Sequence, residues 1–243
     1  MKGTGREFME KTKFQYLDPS DQYLGLPQPS LERSTPGESI DLPSPDTCPR
    51  RRIDLTEAIA TRQSVRTYSR SPLSLSELGY LLWCTQGVRG VEGTAWTFRT
   101  VPSAGARHAL ETFLLVNRVE GLDPGLYRYA ALDHRLVTVD AGPEVVPEVT
   151  AACLAQSMVP ESAVTFLWSA DIYRMNWRYG ERGYRYVFIE AGHACQNLYL
   201  AAEAVGCGVC AIGAFDDDIL NALLGLDGRD WFVLYLATVG KIS

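Results

Sequence analysis

Two guanidinium side chains and a hydroxyl recur at alternate positions in Arg62-Gln63-Ser64-Val65-Arg66. In an extended chain alternate side chains share a face, so Arg62, Ser64 and Arg66 would converge on one side. Two planar cationic forks and a hydroxyl form a strong receptor for a phosphate monoester. The same pattern also fits a surface strand of alternating charge. Pro102-Ser103-Ala104-Gly105 gathers small residues that let backbone approach a flat ligand closely, although such clusters also mark ordinary turns. Ala211-Ile212-Gly213-Ala214-Phe215 carries little side-chain bulk and suits stacking against a planar ring, or a tight turn. Lys241, following a buried apolar run, is either a solvated strand end or a third cation for the phosphate.

Cys207 and Cys210, with His193 and Cys195 upstream, raise metal or thiol chemistry. Zinc needs four convergent ligands, yet His193 and Cys195 are two apart on a predicted helix, about 200° around its axis. A redox pair of this spacing usually opens a helix, whereas this one follows a helix and enters an apolar loop. Buried structural cysteine is the better reading.

These residues need a scaffold. The chain has 243 residues, 46% hydrophobic and 21% charged, the balance of a globular protein. With 23 basic and 29 acidic residues and a net charge of −6, it has no general electrostatic footprint for nucleic acid. Arg50-Arg51-Arg52 reads as a solvated linker. Neither a secretory signal nor a transmembrane run is expected. Six cysteines in a chain of this length do not make a disulfide framework, so a cytoplasmic protein with reduced thiols is expected.

Residues 1–50 recur in proline and lack periodicity, and they read as an extended arm; Phe8, Phe14, Tyr16 and Tyr23 favour docking. Residues 51–243 form the main domain. Ile53 to Ala60 reads as a short helix and Arg62 to Tyr68 as an extended segment. Ser74 and Glu77 form a capping-box pattern ahead of a helix. Thr112 to Val116 and Ala163 to Ser169 read as buried strands, and Asp133-His134 sits in a hairpin turn. Tyr186 to Val205 is a long helix, apolar nearly all round and therefore central. Asp216 to Leu224 is a short helix and Trp231 to Val239 a final strand. Interleaved helices and strands with a hairpin favour an α+β fold. No dinucleotide, P-loop or nucleophile-elbow motif occurs.

Taken in this order, these pieces resemble the FMN-dependent nitroreductase family, and within it the SagB-type dehydrogenases. The resemblance runs from about Arg62 to Lys241; its most specific stretch is Trp177 to Tyr186, continuing through Glu190 to Asn197 and Ile212 to Phe215. The family implies a nitroreductase-like α+β fold, a mixed, mainly antiparallel sheet flanked by helices. It implies an interlocked homodimer whose long helix packs across the two-fold axis, with an FMN site at each subunit interface. On the resemblance, Arg62, Ser64, Arg66 and Lys241 would hold the phosphate and ribityl chain. Pro102, Ser103, Ala104 and Gly105 would approach the ring from the other subunit, and Ile212, Gly213 and Ala214 would line it.

SagB-type enzymes that oxidise azolines carry a Lys-Tyr pair credited with proton removal, and the matching residues here are Arg178 and Tyr179. Arginine is always protonated and cannot act as a base, which counts against azoline oxidation. Arg178 would orient an anionic substrate and Tyr179 would move a proton; the stretch also fits an ordinary aromatic-basic surface. The expected function is electron or hydride transfer from a donor, NADH or NADPH, to a small conjugated or nitroaromatic acceptor. The alternatives are a SagB-like dehydrogenase of a C–N or C–C bond and a non-catalytic flavin-binding partner.

Overall fold

The computed structural model describes residues 3–242. In chain order its elements are α1 (Thr4–Lys11), β1 (Ser39–Asp41), α2 (Leu55–Thr61), α3 (Leu75–Gln86), β2 (Val88–Glu92), β3 (Trp96–Arg99), β4 (Leu110–Val116), β5 (Gly125–Ala130), β6 (Arg135–Ala141), α4 (Val145–Ala152), α5 (Met158–Glu161), β7 (Val164–Asp171), α6 (Ile172–Tyr179), α7 (Gly183–Ala204), β8 (Cys207–Ile212), α8 (Asp217–Leu223) and β9 (Trp231–Lys241). Seven strands form one sheet in the order β1-β6-β5-β4-β7-β9-β8, and β2-β3 is a separate hairpin. The neighbouring strands pair antiparallel. Parallel pairing is confined to single bridges, Ser64 with Val209 and Leu73 with Val119. The α+β, mainly antiparallel architecture expected from the sequence is present.

Alternation along the central strands explains the layering. In β4, Phe113 and Leu115 enter one apolar cluster with Val149 of α4 and Leu220 of α8. Leu114 and Val116 enter the other, with Leu81 of α3 and Leu198 of α7. Both faces are covered, so β4 and β7 are buried throughout and read as near-continuous apolar runs. The capping box forms: Ser74 Oγ accepts from the Glu77 amide at 3.2 Å, and the Ser74 amide donates to Glu77 Oε2 at 2.9 Å.

Two expectations are corrected. Cys207 to Cys210 is not a loop but the start of β8, paired with β9 from Cys207–Lys241 to Ile212–Leu236. A short run containing glycine has weak strand propensity, and only the tertiary partner makes it a strand. The helix α7 is not buried all round, because Phe188, Ile189, His193 and Gln196 are exposed.

The arm departs from a uniformly extended segment by opening with α1, and of its four aromatics only Phe8 meets the domain among the described residues, under Arg185 at 6.0 Å, so polar groups do most of the fastening. Phe14 and Tyr23 are 81% and 82% exposed. Instead Arg33 Nε meets Asp171 Oδ2 at 2.7 Å, and the Arg33 amide donates to Glu111 Oε1 at 3.1 Å. Glu32 Oε1 accepts from the Ala131 amide at 2.7 Å, and Thr35 receives Arg128. Glu111, 2% exposed, also holds Arg128 at 2.5 Å and Arg174 at 2.7 Å. Burial opposes ionisation of Glu111, but the two guanidiniums prevail and hold its carboxyl down at about 2.

Candidate functional site

The segment after α2 lies across the edge of the sheet. The Val65 amide donates to the Val209 carbonyl at 2.9 Å, beside the Ser64–Val209 bridge. Val65 packs onto Gly208, where a Cβ would lie 2.5 Å from the Val65 Cβ, and Tyr68 covers Gly240 in the same way. Gly208 and Gly240 are register partners on β8 and β9, so two missing side chains form the saddle that the segment crosses. Gly208→Ala should therefore lift Val65, cost about 1–3 kcal/mol as overpacking does, and strip hydrogen-exchange protection from the Val65 amide. Unchanged protection of that amide would disprove the saddle.

With Val65 turned inward, Arg62 and Ser64 meet Tyr199 of α7. Ser64 Oγ lies 3.0 Å from Tyr199 Oη, which also accepts from the Ala211 amide at 3.0 Å. The Arg62 guanidinium stands 5.5 Å over the Tyr199 ring. Tyr199 thus joins the Arg62–Arg66 segment to the Ala211–Phe215 stretch. Its sequence signal, a tyrosine within an apolar helix, did not distinguish it from core. Arg66 is exposed, its Nη1 donating to the Ser64 carbonyl at 3.4 Å. Lys241 stands opposite Cys207 and donates to Glu77 Oε1 at 2.5 Å and to the Val205 carbonyl at 2.8 Å, so one carboxylate already matches its charge. Ile212 is buried, whereas Gly213 and Ala214 are exposed.

A second cluster forms around Pro102, Ser103, Ala104 and Gly105. Gly105, Ala106 and His108 have φ of 57°, 52° and 45°, left-handed backbone that is costly at the two non-glycine positions. Local bonds hold the loop in place. The Ala104 amide donates to Glu190 Oε1 at 2.8 Å, the His108 amide to Ser103 Oγ at 2.8 Å, and Arg107 Nε to the Gly105 carbonyl at 3.0 Å. A Cβ on Gly105 would lie 2.6 Å from Tyr179 Oη and 2.7 Å from Arg178 Nε, so Arg178 and Tyr179 pack directly on this loop. The Arg178 guanidinium is 5.8 Å from the Trp96 ring, and Tyr179 meets Tyr186 edge-on at 5.0 Å.

Two titratable groups behind the loop were not singled out in the sequence. Burial pushes the Glu190 carboxyl up to about 7, against the Ala104 amide, Ser103 and Arg99, which favour its ionised form. Burial, with Arg99, Arg107 and Arg174 nearby, pushes His108 down to about 3. The only sequence signal for Glu190 is an acid interrupting an apolar helix. A cavity of about 290 Å³ connects the loop to the exposed stripe of α7, lined by Ser103, Ala104, Glu190, Ile189 and His193.

The two clusters do not meet within one chain. Glu190 and Tyr199 are nine residues apart on α7, about 2.5 turns and about 13 Å along the axis. They therefore project from opposite sides of the helix. Cys207 and Cys210 belong to neither cluster: both thiols are buried, and burial pushes Cys207 up to about 12. Among the described residues no group of three or more His, Cys, Asp or Glu is placed to hold a metal.

The first cluster fits the FMN that the resemblance implies. Among the described residues neither Arg62 nor Arg66 is in an ion pair. Nothing lies within 4 Å of a Cβ placed on Gly213, while the Ala214 carbonyl accepts from Gln156 Nε2 at 2.9 Å.

Comparison with known proteins identifies the family and the fold. The model of the nitroreductase family matches residues 59–241. A Methanocaldococcus jannaschii protein carrying the nitroreductase name is 35% identical over 205 residues, covering 84% of this chain and 98% of that one. A solved nitroreductase-type structure from Anabaena variabilis is 31% identical with a TM-score of 0.65, covering 76% of this chain and 37% of that one. The trifolitoxin-processing protein TfxB of Rhizobium leguminosarum bv. trifolii is 29% identical over 136 residues, 53% of this chain and 36% of TfxB. The matched region thus spans little more than a third of the length of each of the last two. No helix among the described residues is long and apolar enough to cross a membrane. By its family match, its relatives and its fold, the chain belongs to the nitroreductase family.

Proposed function

We propose that this oxidoreductase is an FMN enzyme acting as a homodimer, passing hydride or electrons from NADH or NADPH to a small conjugated or nitroaromatic acceptor. The observation that carries this reading is the Tyr199 hydroxyl joint, which ties the Ser64 segment, flanked by Arg62 and Arg66 with no ion pair among the described residues, to the Ala211 backbone. FMN, when bound, would supply the hydride and single-electron transfers. Arg62 and Arg66 would grip its phosphate, with Ser64 beside them and Lys241 flanking through its pair with Glu77. Ile212, Gly213 and Ala214 would present backbone to the ring. Because α7 holds Pro102–Gly105 away from this seat, a second copy of the chain would bring its own loop, covering the exposed α7 stripe. Arg178, permanently cationic, would orient an anion, and Tyr179 Oη would move a proton.

A second reading reverses the direction: a SagB-like dehydrogenase oxidising a C–N or C–C bond. The similarity to TfxB and the packing of Arg178-Tyr179 on Gly105 favour it. Anaerobic titration of the flavin-loaded protein with NADH and NADPH separates the two. Bleaching by either nicotinamide supports the reductase, and a flavin that neither bleaches supports the dehydrogenase. Purified protein that is colourless and takes up no FMN overturns both.

Arg66→Ala should weaken FMN binding by about 1.5–3 kcal/mol, the worth of a charge-assisted contact. That is about a 10- to 150-fold rise in Kd, readable by quenching of flavin fluorescence. An unchanged Kd would remove Arg66 from the phosphate seat.

A further inference from the structure

The arm and the α6–α7 corner border an open pocket of about 510 Å³ whose lining includes Phe14, Asp18, Tyr23, Arg178, Tyr179 and Tyr186. The volume is that of a small-molecule site. One wall belongs to the arm, and hydrogen bonds to α6 hold it in place: the Gln22 amide donates to the Trp177 carbonyl at 2.7 Å, Trp177 Nε1 to the Leu26 carbonyl at 3.0 Å, and Tyr173 Oη to Asp21 Oδ2 at 3.0 Å. The opposite wall is the Tyr179–Tyr186 pair.

The charges of the lining are unequal. Arg178 has no ion-pair or hydrogen-bond partner among the described residues; only the rings of Trp96 and Tyr179 flank its guanidinium. Arg182, also in the lining, is committed to Tyr186 Oη at 2.9 Å and the Thr12 carbonyl at 2.9 Å. Asp18 is the single carboxylate. Four aromatic rings, one uncommitted guanidinium and a surplus of one positive charge describe a receptor for a flat anion. Phe14 and Tyr23, so largely exposed, are rings with no occupant of their own chain to cover them.

We infer that this pocket binds a planar aromatic carboxylate, its ring between the arm's aromatics and the Tyr179–Tyr186 pair and its carboxylate on Arg178. The arm is then part of the site that selects the acceptor or substrate. The inference rests on the proposed flavin reading for the reaction of the bound ligand, but not for binding itself. Arg178 and Tyr179 back directly onto Gly105, so the ligand would lie against the loop assigned to the cofactor.

The test is calorimetric titration of the full-length protein with 2-naphthoate and with its neutral isostere 2-naphthamide, recording the FMN content of each sample. The acid should bind about tenfold or more tightly than the amide, and Arg178→Gln should abolish that difference. Phe14→Ala and Tyr23→Ala, which remove exposed rings the fold does not need, should each raise the naphthoate Kd several-fold. Equal affinity for acid and amide overturns the assignment to Arg178. Loss of dimer in sedimentation, with an unchanged naphthoate Kd in the two ring variants, overturns it in favour of a second copy covering those rings. Flavin-loaded protein that fails to bind naphthoate overturns this inference while leaving the FMN reading intact. Colourless protein that takes up no FMN yet binds naphthoate over the amide overturns the FMN reading and supports the pocket.

Discussion

Glu111→Gln is expected to lower the stability of the protein by about 3–5 kcal/mol, the usual effect of removing one partner from a buried ion pair. Glu111 receives Arg128 on one oxygen, and Arg174 and the Arg33 amide on the other. Glutamine offers a single acceptor and turns an NH2 toward one guanidinium. Arg128, fully buried, would then keep its charge without its match, and Arg174, equally buried, would be left with the Asp171 carboxylate alone at 3.2 Å. The damage should reach the arm, since Glu111 accepts from the Arg33 amide. Urea denaturation measures the stability, and limited proteolysis should cut within residues 12–35 of the variant sooner than in the parent. A stability change below about 1 kcal/mol, the range of an exposed pair, would show that water reaches this cluster.

The second large effect is a collapse at acid pH, and its shape follows from opposed groups. His108 titrates near 3 in the folded chain against an ordinary 6.5. Between those values only the unfolded chain carries the proton, so stability falls as pH drops below about 6.5, by about 1.4 kcal/mol per pH unit and on the order of 4–5 kcal/mol in all. Glu190 works the other way. Its folded carboxyl, raised to about 7 from 4.5, keeps a proton that the unfolded chain releases, so stability falls as pH rises through that window. Glu32, raised by burial and by Glu111, acts in the same sense.

From about pH 6.5 to 4.5 these slopes offset each other. Below 4.5 Glu190 has no further effect, whereas His108 continues and Glu111 joins it, its stabilisation being lost as pH falls toward its folded value of about 2. Urea midpoints from pH 8 to 3 should be nearly level down to about 4.5 and fall steeply beyond. In Glu190→Gln the decline should begin near 6.5. An unchanged profile in that variant would mean Glu190 is not a buried acid.

The sequence made much of the scaffold legible because local signals and tertiary demands agreed there. The capping box at Ser74, the turn at Asp133-His134 and the acidic start of α8 are local codes, and each marks an observed element. The largely apolar, β-branched and aromatic runs of β4, β7 and β9 are short enough to read as buried strands. What escaped depended on partners distant in sequence. The strand β8 exists through β9. The arm is fastened by Glu32 and Arg33 reaching Ala131, Glu111 and Asp171, while Phe14 and Tyr23, expected to dock, stay exposed on the rim of the pocket between the arm and α6–α7. Among the candidate site residues, the alternation of Arg62 and Ser64 against Val65 was readable, whereas the small residues expected to meet a flat ligand are approached at Gly105 by Arg178 and Tyr179. Tyr199 and Glu190, which fasten the two clusters, were hidden because a polar group inside an apolar helix has no signature of its own in a single chain.

The opposed directions of Glu190 and Tyr199 on α7 bear on inheritance as well as chemistry. Under the proposed pairing, each working centre draws its phosphate grip from one copy and its loop from the other. A lesion at Arg66 and a lesion at Gly105 would then complement each other: in a mixed dimer both defects fall in one centre and leave the other whole. Two lesions on the same side of the helix would never rescue one another. The helix would thus divide the gene into two complementation groups.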